Sequence, residues 1–456
     1  NKNNLSFLQK RFWFLDQLEG DKSVSYNIFL SWNIKGKLKA DILCKSINEI
    51  IKRQESLRTN FLMENGELIQ VIRPSLTIDI PISKPVLPLV TSEKQETITS
   101  IAKQEANKRF DLSGDPLIRA RLVRVKEDEH ILMITMHHII SDGWSIKIFT
   151  DELKDFYESL INEADINSNY LPIQYRDYVI WKEEQLNEKI FGQQLSYWKR
   201  KLAGELPVLK LLTETERIPT YSFKGATNTL KISENLTNKL KETSKNEQVT
   251  LYMTLLAAYN ILLYRFTNQS DILIGTPIAN RNLSETDRVI GCFVNTLIMR
   301  NQLADNPTFL EFLKRVEQTA LEAYNNQDVP FETLVKEINP NRDLNHNPLF
   351  QAWFVYNEEP ISNLKIKGLC IEPLKVDLGT TNFDLSLTAE KNNNSLDITL
   401  HYNSFLISKS KSTAILNSFY EILNQIITNP NQNLNTLIRE ILTNNRTFKK
   451  RRKVQE

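Results

Sequence analysis

Cysteine is scarce in this chain. Cys44, Cys292 and Cys370 are the only three in 456 residues, and none stands in a CxxC or other metal-like spacing. That excludes a disulfide framework and a thiolate metal centre, so no metal is expected. The three read as reduced thiols used as small hydrophobes, the usage of a cytoplasmic protein. An excess of one charge is also missing: 57 basic residues against 55 acidic ones leave a formal charge of +2. A nucleic-acid-binding domain would show a basic stripe, and none is visible before the closing "TFKKRRKVQE", which reads as a solvated linker. Small molecules or proteins are therefore the expected partners, with no nucleic acid among them. Long apolar runs are absent as well. "LYMTLLAAYNILLYRF" from Leu251 is too short, and too interrupted by Asn260, to span a bilayer, so a buried helix is expected and no membrane. The chain opens on Asn1 with no signal-peptide pattern behind it, and reads as a piece cut from something longer.

What is present is an alternation of helix-like and strand-like segments over a length that calls for two or more packed units. "LSFLQKRFWFLDQL" has helical apolar spacing after the candidate cap Ser6. "ADILCKSINEIIKRQESLRTNF" places Ile42, Ile47, Ile50 and Ile51 on one face. "LIRARLVRV" alternates as a half-buried strand, and "HILMITM" is a near-continuous apolar one. "WSIKIFTDELKDFYESLI" returns to helical spacing, and Pro172 to Trp181 reads as an aromatic-rich connection. The same grammar then restarts with a helix at "TLYMTLLAAYNILLYRF", strands at "DILIGTPI" and "FVNTLIMR", and a helix at "FLEFLKRVEQTALEAY". The expected class is α/β, in two lobes that meet near residues 165 to 185.

Only five histidines occur, yet two of them, His137 and His138, stand side by side at the end of the most apolar strand. Successive side chains of a strand point to opposite faces, so one can be structural while its neighbour faces the other way. A short loop follows, then a helix whose cap is Ser141 or Asp142. A histidine beside a helix N-terminus has the parts for acyl transfer. The imidazole takes or holds a proton, and amides near Gly143 can face a developing oxyanion. Packed, hydrogen-bonded histidines are the ordinary alternative, and the pair alone does not decide between them.

Taken whole, His137 to Gly143 fits HHxxxDG, and "HHIISDGWS" resembles the condensation domains of nonribosomal peptide synthetases, members of the chloramphenicol-acetyltransferase-like superfamily. Further segments resemble the family's other motifs, in order. "LSFLQKRFWFLDQL" carries Ser6, Gln9, Arg11, Trp13 and Leu15, with Leu8 for a usual alanine. "RQESLRTNF" has Gln54 where histidine is usual. "YRDYVIW" and "IGCFVNTLIMR" follow, then "NQDVPFE" with Asn326 for histidine, and "RDLNHNPLFQ". The matches run from residue 5 to residue 351.

The resemblance implies two chloramphenicol-acetyltransferase-like lobes in a V-shaped pseudo-dimer with the active site in a tunnel between them. Residues 1–175 would form the N-terminal lobe with the histidine motif. Residues 176–440 would form the C-terminal lobe, with "GTPIANRNLSETDR" as a floor loop and "LGTTNFDLSL" as a crossing segment, and 441–456 a basic linker tail. The implied activity is peptide-bond formation, in which a carrier-bound acceptor amine attacks a carrier-bound donor thioester. His138 would be catalytic, Gly143 would admit the thioester to the backbone, and His137 would be structural. Asp142 would pair with Arg300. Trp144, Ser145 and Asn295 are candidates for substrate contact, although Trp144 reads first as packing and Ser145 can be no more than a helix-start hydroxyl.

No bound cofactor is implied, because substrates arrive on the phosphopantetheine arms of carrier proteins. The implied partners are an upstream donor carrier, a downstream acceptor carrier and neighbouring synthetase domains, and the excised domain would be monomeric. An epimerisation domain would order its motif differently, a heterocyclisation domain would replace the histidines with aspartates, and a coenzyme A acetyltransferase would lack the seven motifs. A noncatalytic recruitment module of the same fold, and a hybrid domain taking a polyketide or fatty acyl donor, remain the alternatives. The motif forms lean toward an L-configured donor.

Overall fold

The apolar run that ends in the histidine pair becomes the strand Glu129–His137, the middle member of a five-stranded sheet. The order across that sheet is Cys370–Pro373, Asn27–Lys35, Glu129–His137, Ile118–Arg124, Ile82–Ser83. The computed structural model describes residues 4–20, 23–85, 91–164, 170–185, 188–211, 224–338, 347, 349–359 and 364–441. The histidine strand is apolar on both sides because both faces are covered. Ile131 and Met133 meet Ile98 and Ala102 of the helix Thr91–Ala106. Leu132, Ile134 and Met136 face the main core with Ile47, Ile50, Phe149 and Leu153.

Those core partners come from two amphipathic helices. Ala40–Arg53 buries Leu43, Ile47, Ile50 and Ile51, a helical stripe on which the expected Ile42 is only half-buried. The helix stops at Gln54 instead of continuing. A single 3-10 turn, Glu55–Arg58, follows and leads to the hairpin Thr59–Glu64 with Glu67–Ile72. The hairpin closes on Asn65 and Gly66, at φ of 52° and 83°, the left-handed pair that a two-residue turn of this twist requires. The second helix, Gly143–Ile161, starts directly after the histidine motif. The N-terminal helix Phe7–Glu19 is capped by Ser6, which exchanges hydrogen bonds with Gln9 in a capping box.

Packing divides the chain into two compact units. The first comprises Asn1–Phe191, Ala279–Asn295 and Ile361–Leu378. The second comprises Gly192–Ile278, Thr296–Pro360 and Gly379–Glu456. This differs from a division at residue 175. Pro172 to Trp181 reads in sequence as a connection, but Tyr175–Gln185 is a helix, and Tyr175 and Tyr178 lie 4.8 and 4.6 Å, ring to ring, from Phe293. Residues 279–295 thus belong with the histidine unit, as does Cys370–Pro373, which pairs antiparallel with Asn27–Lys35, whereas residues 275–278 of the expected floor loop end a strand of the second unit.

The second unit has a six-stranded sheet ordered Gly225–Ile232, Ser395–Asn403, Leu385–Asn392, Ala352–Asn357, Asp271–Ile278, Asn295–Gln302. Its helix Leu251–Thr267 is buried from Met253 to Leu263. Asn260 is accommodated there by donating to the Leu256 carbonyl at 2.8 Å. Among the described residues no single helix is long and apolar enough to cross a membrane. The basic tail from residue 442, and Arg342 and Asp343 of the last motif, lie outside the described residues.

Candidate functional site

The strand ends at His137, and His138 opens a 3-10 turn, His138–Ile140, so the two imidazoles separate by a change of backbone as well as by alternation. The His138 amide donates to the Tyr26 carbonyl at 2.9 Å, and His137 donates likewise to Leu117 at 3.0 Å. The Nδ1 of His137 accepts from the Ile139 amide at 3.1 Å, which places its proton on Nε2 when neutral, and its ring is met by the edges of Phe12 and Phe110. Burial, reinforced by His138 and Arg119, holds this imidazole down to about 3, so it is neutral at physiological pH.

His138 is half-buried and stacks on Phe12 at 5.0 Å between centroids. Burial also pushes its pKa below the usual value. The Asp142 carboxylate and the backbone carbonyls of His138 and Ser141 oppose that shift. Its Nδ1 lies 3.7 Å from Cys292 Sγ.

Asp142 is the helix cap, and Ser141 is not. One carboxylate oxygen, Oδ1, accepts from the Ser145 amide at 2.8 Å and lies 2.7 Å from the Ser145 hydroxyl. The other, Oδ2, accepts from the Phe293 amide at 2.9 Å. The expected partner Arg300 is elsewhere. It pairs with Asp271, with Nη2 2.7 Å from Oδ2, and donates to the Lys201 and Ala203 carbonyls. Asp142 instead meets Arg281, at 3.3 Å, with both side chains 2 % exposed. Arg281 also donates to the carbonyls of Thr286 and Val289 and lies over the Phe293 ring at 3.8 Å. Arg281 sits in the 279–295 excursion that packs beside the histidine turn, whereas Arg300 lies on the strand Asn295–Gln302 with its guanidinium taken by Asp271.

The candidates for substrate contact differ in burial and in hydrogen bonding. Ser145 is completely buried, and its hydroxyl is taken up by Asp142, Arg281 and both backbone groups of Gly291. Trp144, read first as packing, is 44 % exposed and holds the Asp287 carbonyl through Nε1 at 3.3 Å. Gly143 is the first residue of the helix and is half-buried. Asn295 begins its strand, buried.

Sequence reasoning missed the clasp on residues 290–293. Gln54, at the position where histidine is usual, accepts from the Ile290 amide at 2.9 Å and donates to the Arg288 carbonyl at 3.0 Å and to Glu152 at 3.1 Å. Ser56 donates to the Ile290 carbonyl at 2.7 Å, and Tyr175 to that of Cys292 at 2.7 Å. The available signal was the motif string itself, since these residues stand in three motifs far apart in sequence. Among the described residues no cluster of histidine, cysteine or carboxylates could hold a metal ion.

Residues 1–443 match the family model described as Condensation domain. A linear gramicidin synthase of Brevibacillus parabrevis is 41% identical over 436 residues, 95% of this chain and 8% of that protein. Bacitracin synthase 3 of Bacillus licheniformis is 37% identical over 426 residues, 92% of this chain and 6% of that protein. The chain thus spans less than a tenth of the length of these relatives. In fold it is similar to the condensation domain from the Monacolin K polyketide synthase MokA, at a TM-score of 0.83 and 22% identity over 95% of this chain and 98% of that one. It is equally similar to the X-domain from teicoplanin biosynthesis, at a TM-score of 0.83 and 22% identity over 94% and 96% of the two chains.

Proposed function

This chain belongs to the condensation-domain family of nonribosomal peptide synthetases, with the chloramphenicol-acetyltransferase-like fold, and from that premise we propose that it forms an amide bond between two acyl groups held as thioesters. The donor and acceptor arrive on the phosphopantetheine arms of carrier proteins. The acceptor nitrogen attacks the donor carbonyl carbon, a C–N bond forms, the C–S bond breaks, and the donor arm leaves as a thiol with the proton released by nitrogen.

The observation that carries this reading is the placement of His138: half-buried, neutral, and five residues before the helix start at Gly143. With Nδ1 turned to Cys292, Nε2 is the nitrogen left for the acceptor amine. An α-amine has an unperturbed pKa of roughly 7.7–8.0, so a fraction is uncharged near neutral pH, and His138 serves by orienting it and taking its second proton as the tetrahedral species forms. The first-turn amides at Gly143 and Trp144 have no partner within the helix and can face the oxyanion. A side chain at 143 would stand between them and the thioester. Asp142 does no proton transfer in this scheme. Its carboxylate is occupied by Ser145, Phe293 and Arg281 and braces the turn. Trp144 offers an exposed indole to one of the acyl arms.

The test is single-turnover product formation by the native chain from two carrier-bound aminoacyl thioesters, read by mass spectrometry. Amide product is the expected result. Carrier binding without product from any aminoacyl, polyketide or fatty acyl donor would overturn it in favour of a recruitment module.

A further inference from the structure

Between Ile290 and Phe293 nearly every backbone polar group is held by a side chain. The Ile290 amide and carbonyl are taken by Gln54 and Ser56, both groups of Gly291 by Ser145, and the Cys292 carbonyl by Tyr175. The Phe293 amide is taken by Asp142 and its carbonyl by the Asn280 side-chain amide at 3.2 Å. A loop fixed from so many sides has little freedom left, and the side chain it delivers to His138 is Cys292: buried, with Sγ 3.7 Å from Nδ1. The opposite support is Phe12, stacked on the imidazole at 5.0 Å.

The chemistry of the thiol suits that position. A carboxylate at Nδ1 would favour the imidazolium and raise its pKa. Bulk water there would hydrate the charged form and act in the same direction. A thiol is a weak donor and a weak acceptor, so it fills the space beside the ring without stabilising the cation. We propose that Cys292 is a positioning residue for His138, holding the ring between Sγ and Phe12 so that Nε2 meets the acceptor amine. The inference rests on the amide-forming reading of the site and names a residue that acts through His138 without touching the substrate.

The test compares Cys292→Ala and Cys292→Ser with the native chain in kcat, acceptor KM, the acidic limb of the pH profile and the His138 titration followed by NMR. The alanine variant is expected to lose about tenfold in kcat at unchanged KM, less than the roughly 10² to 10⁴ that loss of the acid–base group itself costs, because the imidazole is still present. Water admitted to Nδ1 raises the His138 pKa, so its acidic limb moves to higher pH. Serine, which refills the space, is expected to restore most of the rate. The inference is overturned if Cys292→Ala folds normally and keeps both the native kcat and the native His138 titration. It is equally overturned if alanine and serine lose activity alike in step with a fall in Tm, which would reduce Cys292 to packing. The NMR titration does not depend on turnover. An inactive native chain would therefore count against the proposed reaction, whereas an unmoved His138 titration in Cys292→Ala would count against this inference alone.

Discussion

His137 and His138 are neighbours in sequence, and what separates them is their surroundings. His137 gives Nδ1 to the Ile139 amide between two phenylalanine edges, and burial holds its pKa at about 3. In the unfolded chain a histidine takes up its proton near pH 6.5, so between about pH 6.5 and 3 the unfolded state binds a proton that the folded state refuses. Stability is therefore fully present above that range and falls as pH drops through it, at about 1.4 kcal/mol per pH unit for this one group. Denaturant midpoints of the native chain and of a folded His137→Asn variant at pH 7 and pH 5 check this: the native midpoint should fall more than the variant's. The arginines give a second residue-scale prediction. Removing one partner of a buried pair costs about 3–5 kcal/mol, so Arg281→Ala should lower the unfolding free energy by that order and impair product formation. Arg300→Ala, which breaks a more exposed pair with Asp271, should leave the histidine site intact. The family resemblance implied that Asp142 pairs with an arginine. Motif matching pointed to Arg300, and only the folded path of residues 279–295 brings Arg281 beside the turn.

At the scale of elements, the sequence was most legible where periodicity was strong. The strand Glu129–His137, the helix Gly143–Ile161 and the helix Leu251–Thr267 all stand where their patterns placed them. It was least legible where aromatic content hid helical spacing, as at Tyr175–Gln185, and where a helix gave way to a 3-10 turn after Gln54. Composition does not encode the clasp, because its partners are backbone groups of a loop. Gly291 tests that clasp. A Cβ there would meet the Tyr175 ring too closely for any van der Waals contact. Overpacking of this kind typically costs about 1–3 kcal/mol, so Gly291→Ala should destabilise the chain and slow product formation, while Tyr175→Phe, which keeps the ring and loses the bond to Cys292, should do so less. Activity unchanged in a stably folded Gly291→Ala would show that the loop does not position the site.

For the whole molecule, the α/β class and the presence of two packed units followed from length and the repeated element order, while the membership of each unit did not. Residues 279–295 and 361–378 join the first unit through contacts that no local pattern announces: Phe293 against two tyrosines, and Cys370–Pro373 against Asn27–Lys35. The first of those excursions carries Arg281 and Cys292 to the histidine turn. The account's central claim is that this constellation exists to serve one imidazole. The measurement that tests it most directly is the single-turnover rate of amide formation by His138→Ala beside the native chain, with near-UV circular dichroism confirming a native fold in both. A fall of about 10² to 10⁴ is predicted, the range expected for loss of a positioned acid–base group. A correctly folded His138→Ala that forms product at the native rate would contradict it.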